Sequence, residues 1–136
     1  MLNQALLLCD FGLVVLIWIV QLVVYPSFHY LDSCTFKTWH HRYTRRISCI
    51  VLPLMVMQFA LHVASTYNAT TALGLVGCLL IMTMWLVTFL ISVPYHKILA
   101  SKGTDPRLLS RLINSNWVRT ASLSIVFVID IIDLNW

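Results

Sequence analysis

Apolar residues dominate four stretches of this 136-residue chain, roughly 6–25, 47–66, 72–95 and 118–135. Each is about the ~20 residues that an α-helix needs to cross ~30 Å of hydrocarbon. The pattern predicts four transmembrane helices forming one domain over residues 1–136. Polar residues are unevenly spread between them: the nine Lys and Arg residues fall only within 26–46 and 96–119, and the turn at 67–70 carries no charge. Basic residues mark cytoplasmic ends, so both termini and that turn are expected to face outward and the two basic connections the cytoplasm. The predicted fold is therefore all-α, an integral membrane four-helix bundle with both termini out.

Capping signals extend two of these helices. Asp32 or Ser33 suits a helix start, and no Pro or Gly interrupts 34–46; Thr104 or Asp105 followed by Pro106 reads as another capped start. The second and fourth helices are thus expected to project beyond the bilayer on the cytoplasmic side. The third overshoots as well, with Pro94 expected to kink it.

Within a bilayer, polar groups point into the bundle or a wet cavity, so their spacing identifies inward faces. At about 100° per residue, Asp10, Trp18, Gln21 and Tyr25 form one stripe on the first helix. Arg119, Ser122, Asp130 and Asp133 do so on the fourth. His40, Gln58 and His62 share a face of the second helix, and Thr88, Ser92 and His96 recur every four residues on the third. Folding the chain about Asn68 and Gly103 brings His40 level with His96 at the cytoplasmic mouth, with Asn116 and Arg119 slightly deeper and Gln21 and Tyr25 within reach. A second, outer cluster is expected from Asp10, His62, Asp130 and Asp133, opposite the small Gly74 and Gly77. Its role is left open, with a proton shared between Asp10 and His62 as one use.

Arg119 carries the sharpest chemical signal. An unpaired guanidinium a turn below the interface costs on the order of 3 kcal/mol, so it either snorkels to water or binds an anionic oxygen in a low-dielectric pocket. His40 and His96 suit acid–base work, or ligation of haem or a metal ion with His29 as a third ligand; cofactor-free chemistry is equally compatible.

Composition agrees with a membrane protein: 60% hydrophobic, 10% charged, mean hydropathy +0.84. The net charge of +4 lies at membrane ends, which points to the lipid bilayer rather than nucleic acid as partner. The first apolar run lacks a basic leader and a cleavage site, so it reads as a mature helix. Cys9, Cys34, Cys49 and Cys78 form no CxxC pair and imply free thiols. Asn68 and Thr70 fit a glycosylation sequon on the outward turn, which matters only in a eukaryotic secretory membrane. Trp39, Trp117 and Trp136 suit interfacial belts.

Several short motifs carry a family likeness: Val20-Gln21 through Tyr25-Pro26-Ser27-Phe28, Pro53-Leu54-Met55, Val93-Pro94-Tyr95-His96, and Asn116-Trp117-Val118-Arg119-Thr120. Together they resemble small bacterial four-helix membrane proteins, remotely similar to the fungal anthrone oxygenases, which oxidise polycyclic aromatic anthrones with dioxygen. The likeness spans nearly the whole chain but stops after Thr120, where Ala121, Ser122, Leu123 and Ser124 replace the aromatic and basic residues of many relatives. It implies a bacterial inner-membrane oxidoreductase acting on a lipophilic aromatic or quinone-like molecule. His96, His40, Arg119 and Asn116 would be catalytic, and Gln21, Tyr25 and Trp117 would contact substrate. Against it stands a non-catalytic accessory subunit of a larger membrane complex, or a homo-oligomer, using the polar stripes as packing surfaces. A weaker third reading is a small transporter or proton channel along the track from Asp10 to Arg119.

Overall fold

The structure, a computed structural model, describes residues 1–134 without the side chains of Ser33 and Leu134; Asn135 and Trp136, at the end of the fourth apolar run, lie outside the described residues. The described residues are all-helical. Four long helices, α1 (Leu2–Tyr30), α2 (Ser33–Asn68), α3 (Ala72–Lys102) and α4 (Pro106–Leu134), alternate in direction. All four are long and apolar enough to cross a membrane. The sequence anticipated the extensions of α2, α3 and α4. It missed that of α1, which continues five residues past Tyr25 through a 3₁₀ turn at Phe28–Tyr30.

The capping choices are resolved by hydrogen bonds. Asp32 Oδ1 accepts from the Cys34 and Thr35 amides (3.1 and 3.0 Å), and Asp105 Oδ1 from those of Arg107 and Leu108 (2.9 and 3.3 Å). Bonds from the Thr35 side chain and backbone hold the exposed Asp32 carboxyl below its ordinary range. Its cap is therefore complete above that range and lost as pH falls through the depressed value. Gly103 closes α3 with φ at 89°, a backbone open to glycine and strained for other residues, while its amide donates to the Leu99 carbonyl at 2.9 Å.

Two of the helices contain a wide turn. Pro26 and Pro94 cannot donate to the carbonyls four residues earlier, at Leu22 and Leu90, and their rings crowd them. Each sits just beyond a π-helical turn, Val20–Val24 in α1 and Thr88–Ser92 in α3, which opens the spacing at those carbonyls. At Pro94, where a kink is expected, the helix carries a wide turn just before the proline, and α1 has a counterpart before Pro26. On α1 the buried residues Leu13, Ile17, Gln21 and Tyr25 recur every four positions. In a regular α-helix such a row drifts by about 40° per step. The wide turn takes up that drift and keeps Tyr25 inside.

Around the bundle, α1 packs between α2 and α4, and α3 likewise. One apolar layer, with Leu13, Ile17, Met55, Ile81, Met84, Leu123 and Val126, fills the middle. A second, with Tyr25, Phe28, Phe36, Leu99, Leu109 and Leu112, fills the end that carries the basic residues, here the basic end. Lys37, Arg42, Arg45, Arg46, Lys97, Lys102, Arg107 and Arg111 are exposed there. The outer faces carry large exposed apolar side chains, among them Leu22, Val56, Leu79, Leu90 and Val128. Such a surface suits lipid; helix association then rests on close packing and interhelical hydrogen bonds rather than on excluding water. The buried polar side chains gather into two clusters, one on each side of the middle layer.

Candidate functional site

The cluster near the basic end assembles six of the eight residues expected at a site, one or two from each helix; Trp117 and His29 lie outside it. His40 Nε2 and His96 Nδ1 lie 2.9 Å apart, and His96 Nε2 is 3.2 Å from the Tyr25 hydroxyl. The Tyr25 hydroxyl in turn interacts with the Arg119 guanidinium. Arg119 donates to Asn116 Oδ1 at 3.0 Å, and Asn116 Nδ2 donates to Gln21 Oε1 at 2.7 Å. Gln21 closes the run by donating to the Ile113 carbonyl at 3.5 Å. One chain of contacts thus runs from His40 to Gln21 through all four helices. Arg119 is 8% exposed, so it does not snorkel into water. Its partners are inside the bundle.

The elements hold these groups by local rules. The wide turn before Pro26 points Tyr25 inward, and the wide turn before Pro94 precedes His96 by one helical turn. Phe36 stacks on the His40 ring (centroids 4.9 Å apart) and Phe28 meets it edge-on, so a fully buried imidazole is clamped between apolar rings. Thr120 donates to the Asn116 carbonyl at 3.0 Å on α4. Replacing Asn116 by alanine is expected to lower stability by about 1–2 kcal/mol, because it leaves Gln21 Oε1 without a donor and takes one acceptor from Arg119 in a low-dielectric interior. Reversible unfolding in mixed detergent micelles measures it.

Beside this chain lies a cavity of about 350 Å³ between α2 and α3, with α1 and α4 forming its floor. Its wall is mostly apolar, including Leu16, Ile17, Val51, Met55 and Phe89; its polar end is made by Tyr25, His96, Ser92 and Arg119. Arg119 Nε and Ser92 Oγ, on two of these residues, have no protein partner. Leu52 and Phe89, exposed on the outer face, and His41 and Lys97, near the basic end, also belong to its lining. A cavity of this size, mostly apolar with a few polar groups at one end, falls in the range of small-molecule sites.

Roles separate accordingly. His96, Tyr25 and Arg119 face the cavity, whereas His40, Asn116 and Gln21 stand behind them and fix their orientation. Trp117 is not part of this site: it is 44% exposed on the outer face and meets Trp18 edge-on at 5.8 Å. Trp18, assigned to the inner stripe from its helical angle, lies at the edge of that stripe and donates to Ser124 at 3.1 Å. His29 is exposed and does not join the other two histidines. Two imidazole nitrogens that share a tetrahedral metal ion at about 2.1 Å each stand roughly 3.4 Å apart. The 2.9 Å between His40 and His96 is hydrogen-bond spacing. Among the described residues no third His, Cys, Asp or Glu completes a ligand set with them.

The sequence reading passed over Tyr43, Thr44 and Ser48, which line the cavity on α2. Only Tyr43 carried a signal, lying three residues beyond His40 on the same face. The opposite cluster forms as expected from Asp10, His62 and Asp130, joined by Gln58, while Asp133 is exposed beside it. All four cysteines are free.

Comparison with family models, curated proteins and solved structures returns no match to this chain.

Proposed function

We propose that the chain is an integral protein of the bacterial inner membrane and acts as an oxygenase-like oxidoreductase on a lipophilic aromatic or quinone-like molecule. The observation that carries this reading is an apolar cavity, flanked by lipid-facing side chains, that ends on an imidazole, a phenol and a buried guanidinium. An anthrone-like substrate enters from the bilayer with its carbonyl oxygen toward Arg119. His96 takes a proton from the ring carbon opposite the carbonyl, with His40 holding the imidazole and accepting or returning charge through the 2.9 Å contact. The resulting enolate oxygen is stabilised by Arg119, which Asn116 keeps in position. Dioxygen is the oxidant: one of its atoms becomes the new carbonyl, the other leaves as water, and the CH₂ carbon ends as C=O.

Oxygen uptake by the protein in lipid nanodiscs with anthrone tests this, with one quinone formed per dioxygen consumed. Absence of turnover together with firm co-purification of larger subunits would favour the accessory role. The basic end is assigned to the cytoplasm by its charge. Exposed Cys34, at that end, is therefore expected to react with a membrane-impermeant maleimide in inverted vesicles and to be protected in spheroplasts; the reverse pattern would invert the topology.

A further inference from the structure

The polar cluster on the far side of the middle layer has its own geometry and a charge problem. His62 Nε2 lies 2.9 Å from Asp10 Oδ2 and 3.7 Å from Asp130 Oδ2. One ligand atom from each of the three residues falls within 4.8 Å of the others. Asp10 is completely buried and His62 nearly so. All nine Lys and Arg residues lie within 37–119, at or near the basic end of the bundle. Two carboxylates and one imidazole thus meet in a low-dielectric interior with no Lys or Arg to balance them, so the carboxyl pair must either hold a proton or face a bound cation.

We propose that Asp10, His62 and Asp130 form a binding site for a divalent transition-metal ion of the zinc type. Two carboxylates neutralise its charge, leaving a site with no net charge, which suits burial between α1, α2 and α4. Ligand atoms at about 2.0–2.2 Å from a tetrahedral ion stand roughly 3.4 Å apart, so the 2.9 Å Asp10–His62 contact opens and the 3.7 Å His62–Asp130 separation closes slightly as the ion enters; unlike His40 and His96, these two groups have a third ligand beside them. Imidazole favours zinc-type ions over magnesium or calcium. The proton of the Asp10–His62 contact and the one that the two neighbouring carboxyl groups hold both pass to solvent as the ion binds.

The surroundings fit an ion as well. Gln58 is fully buried and donates to Asp10 Oδ1 at 2.6 Å, yet its own amide oxygen has no partner. The bond from Gln58 fixes the Asp10 carboxylate, as hydrogen-bond partners of metal-ligating carboxylates do. Asp130 Oδ2 is likewise buried without a hydrogen-bond partner. A cleft of about 20 Å³, lined by Asn3, Leu6, Ser65, Asp130 and Asp133, leads to the end of the bundle and is large enough for a water or a small ion. Asp10 and Gln21 are eleven residues apart, about 16 Å along α1, with the apolar layer between them. The ion site is separate from the cavity, and its effect is to tie three helices together.

Equilibrium dialysis of the full-length, metal-stripped protein in nanodiscs against zinc, with cobalt as a spectroscopic substitute, tests the proposal. One zinc per chain is expected, with a higher unfolding temperature and a visible cobalt band of low symmetry. Asp130→Asn and His62→Gln should each weaken zinc by at least the roughly 10–100-fold that supporting groups around metal sites carry, whereas His40→Gln should retain it. The proposal is overturned if zinc does not bind, or if it binds as well to Asp130→Asn and His62→Gln, since exposed groups such as Cys34 or His41 would then hold it. The cobalt spectrum of the unsubstituted protein decides the matter even where a variant fails to fold: a thiolate charge-transfer band would exclude this ligand set, and no band at all would leave the carboxyl pair holding a proton instead.

Discussion

His96→Phe is expected to lower oxygen uptake with anthrone by roughly 10²–10⁴-fold, the range that a positioned general base contributes. The benzyl ring keeps the volume and the apolar contacts of the imidazole but removes both nitrogens, and with them the contacts at 2.9 Å to His40 and 3.2 Å to Tyr25. His40→Phe should cost less, because His40 is sealed behind His96 and reaches the substrate only through it. A second feature separates base from bystander: turnover in His96→Phe should recover as the substrate becomes more acidic, since an already ionised molecule needs no base. Equal losses for both histidines, insensitive to substrate acidity, would show that the pair serves only to hold the helices together.

Arg119→Lys carries the second large effect, a loss of about 10²–10³-fold, equivalent to about 2.7–4 kcal/mol of transition-state stabilisation if the guanidinium serves the developing oxyanion. Arginine here reaches Asn116 and Tyr25 while also lining the polar end of the cavity. An ammonium is a point charge on a flexible stem and cannot keep both partners and a ligand oxygen in one plane. The loss should fall on turnover more than on substrate affinity, because the interaction strengthens as charge develops. A lysine variant that folds and turns over normally would remove the oxyanion role.

Much of this site is legible in the sequence for one reason: in a membrane bundle only the polar positions report which face is inside. His40 and His96 could be placed level by folding two helices about Asn68, and Gln21, Tyr25, Asn116 and Arg119 followed from their angular positions. The apolar positions report little, since lipid and bundle interior accept the same side chains; Leu13 and Val15 differ in burial but not in kind. The cavity therefore could not be anticipated, because it depends on how far α2 and α3 stand apart. Trp117 illustrates the limit from the other side: it neighbours Asn116 in a motif, but 100° of helical rotation sends it to the outer face, where Trp18 meets it. Gln58 was expected on the inward face of α2, yet its bond to Asp10 required knowing that α1 and α2 are in register there. The wide turns before Pro26 and Pro94 belong to the same class, since a proline predicts a disturbed carbonyl but not whether the helix bends or widens.

Binding of a flat, oxygen-bearing apolar molecule in the cavity against Arg119 is the central requirement of the proposed function, and a spectral titration tests it most directly. A hydroxynaphthoquinone, whose anion absorbs in the visible, is added to the protein in lipid nanodiscs. Saturable binding of one molecule per chain is predicted, with the anion band shifted on binding, the shift lost in Arg119→Lys and retained in Trp117→Ala. Partition into the lipid alone, with no saturation and no difference between the unsubstituted protein and Arg119→Lys, would contradict it.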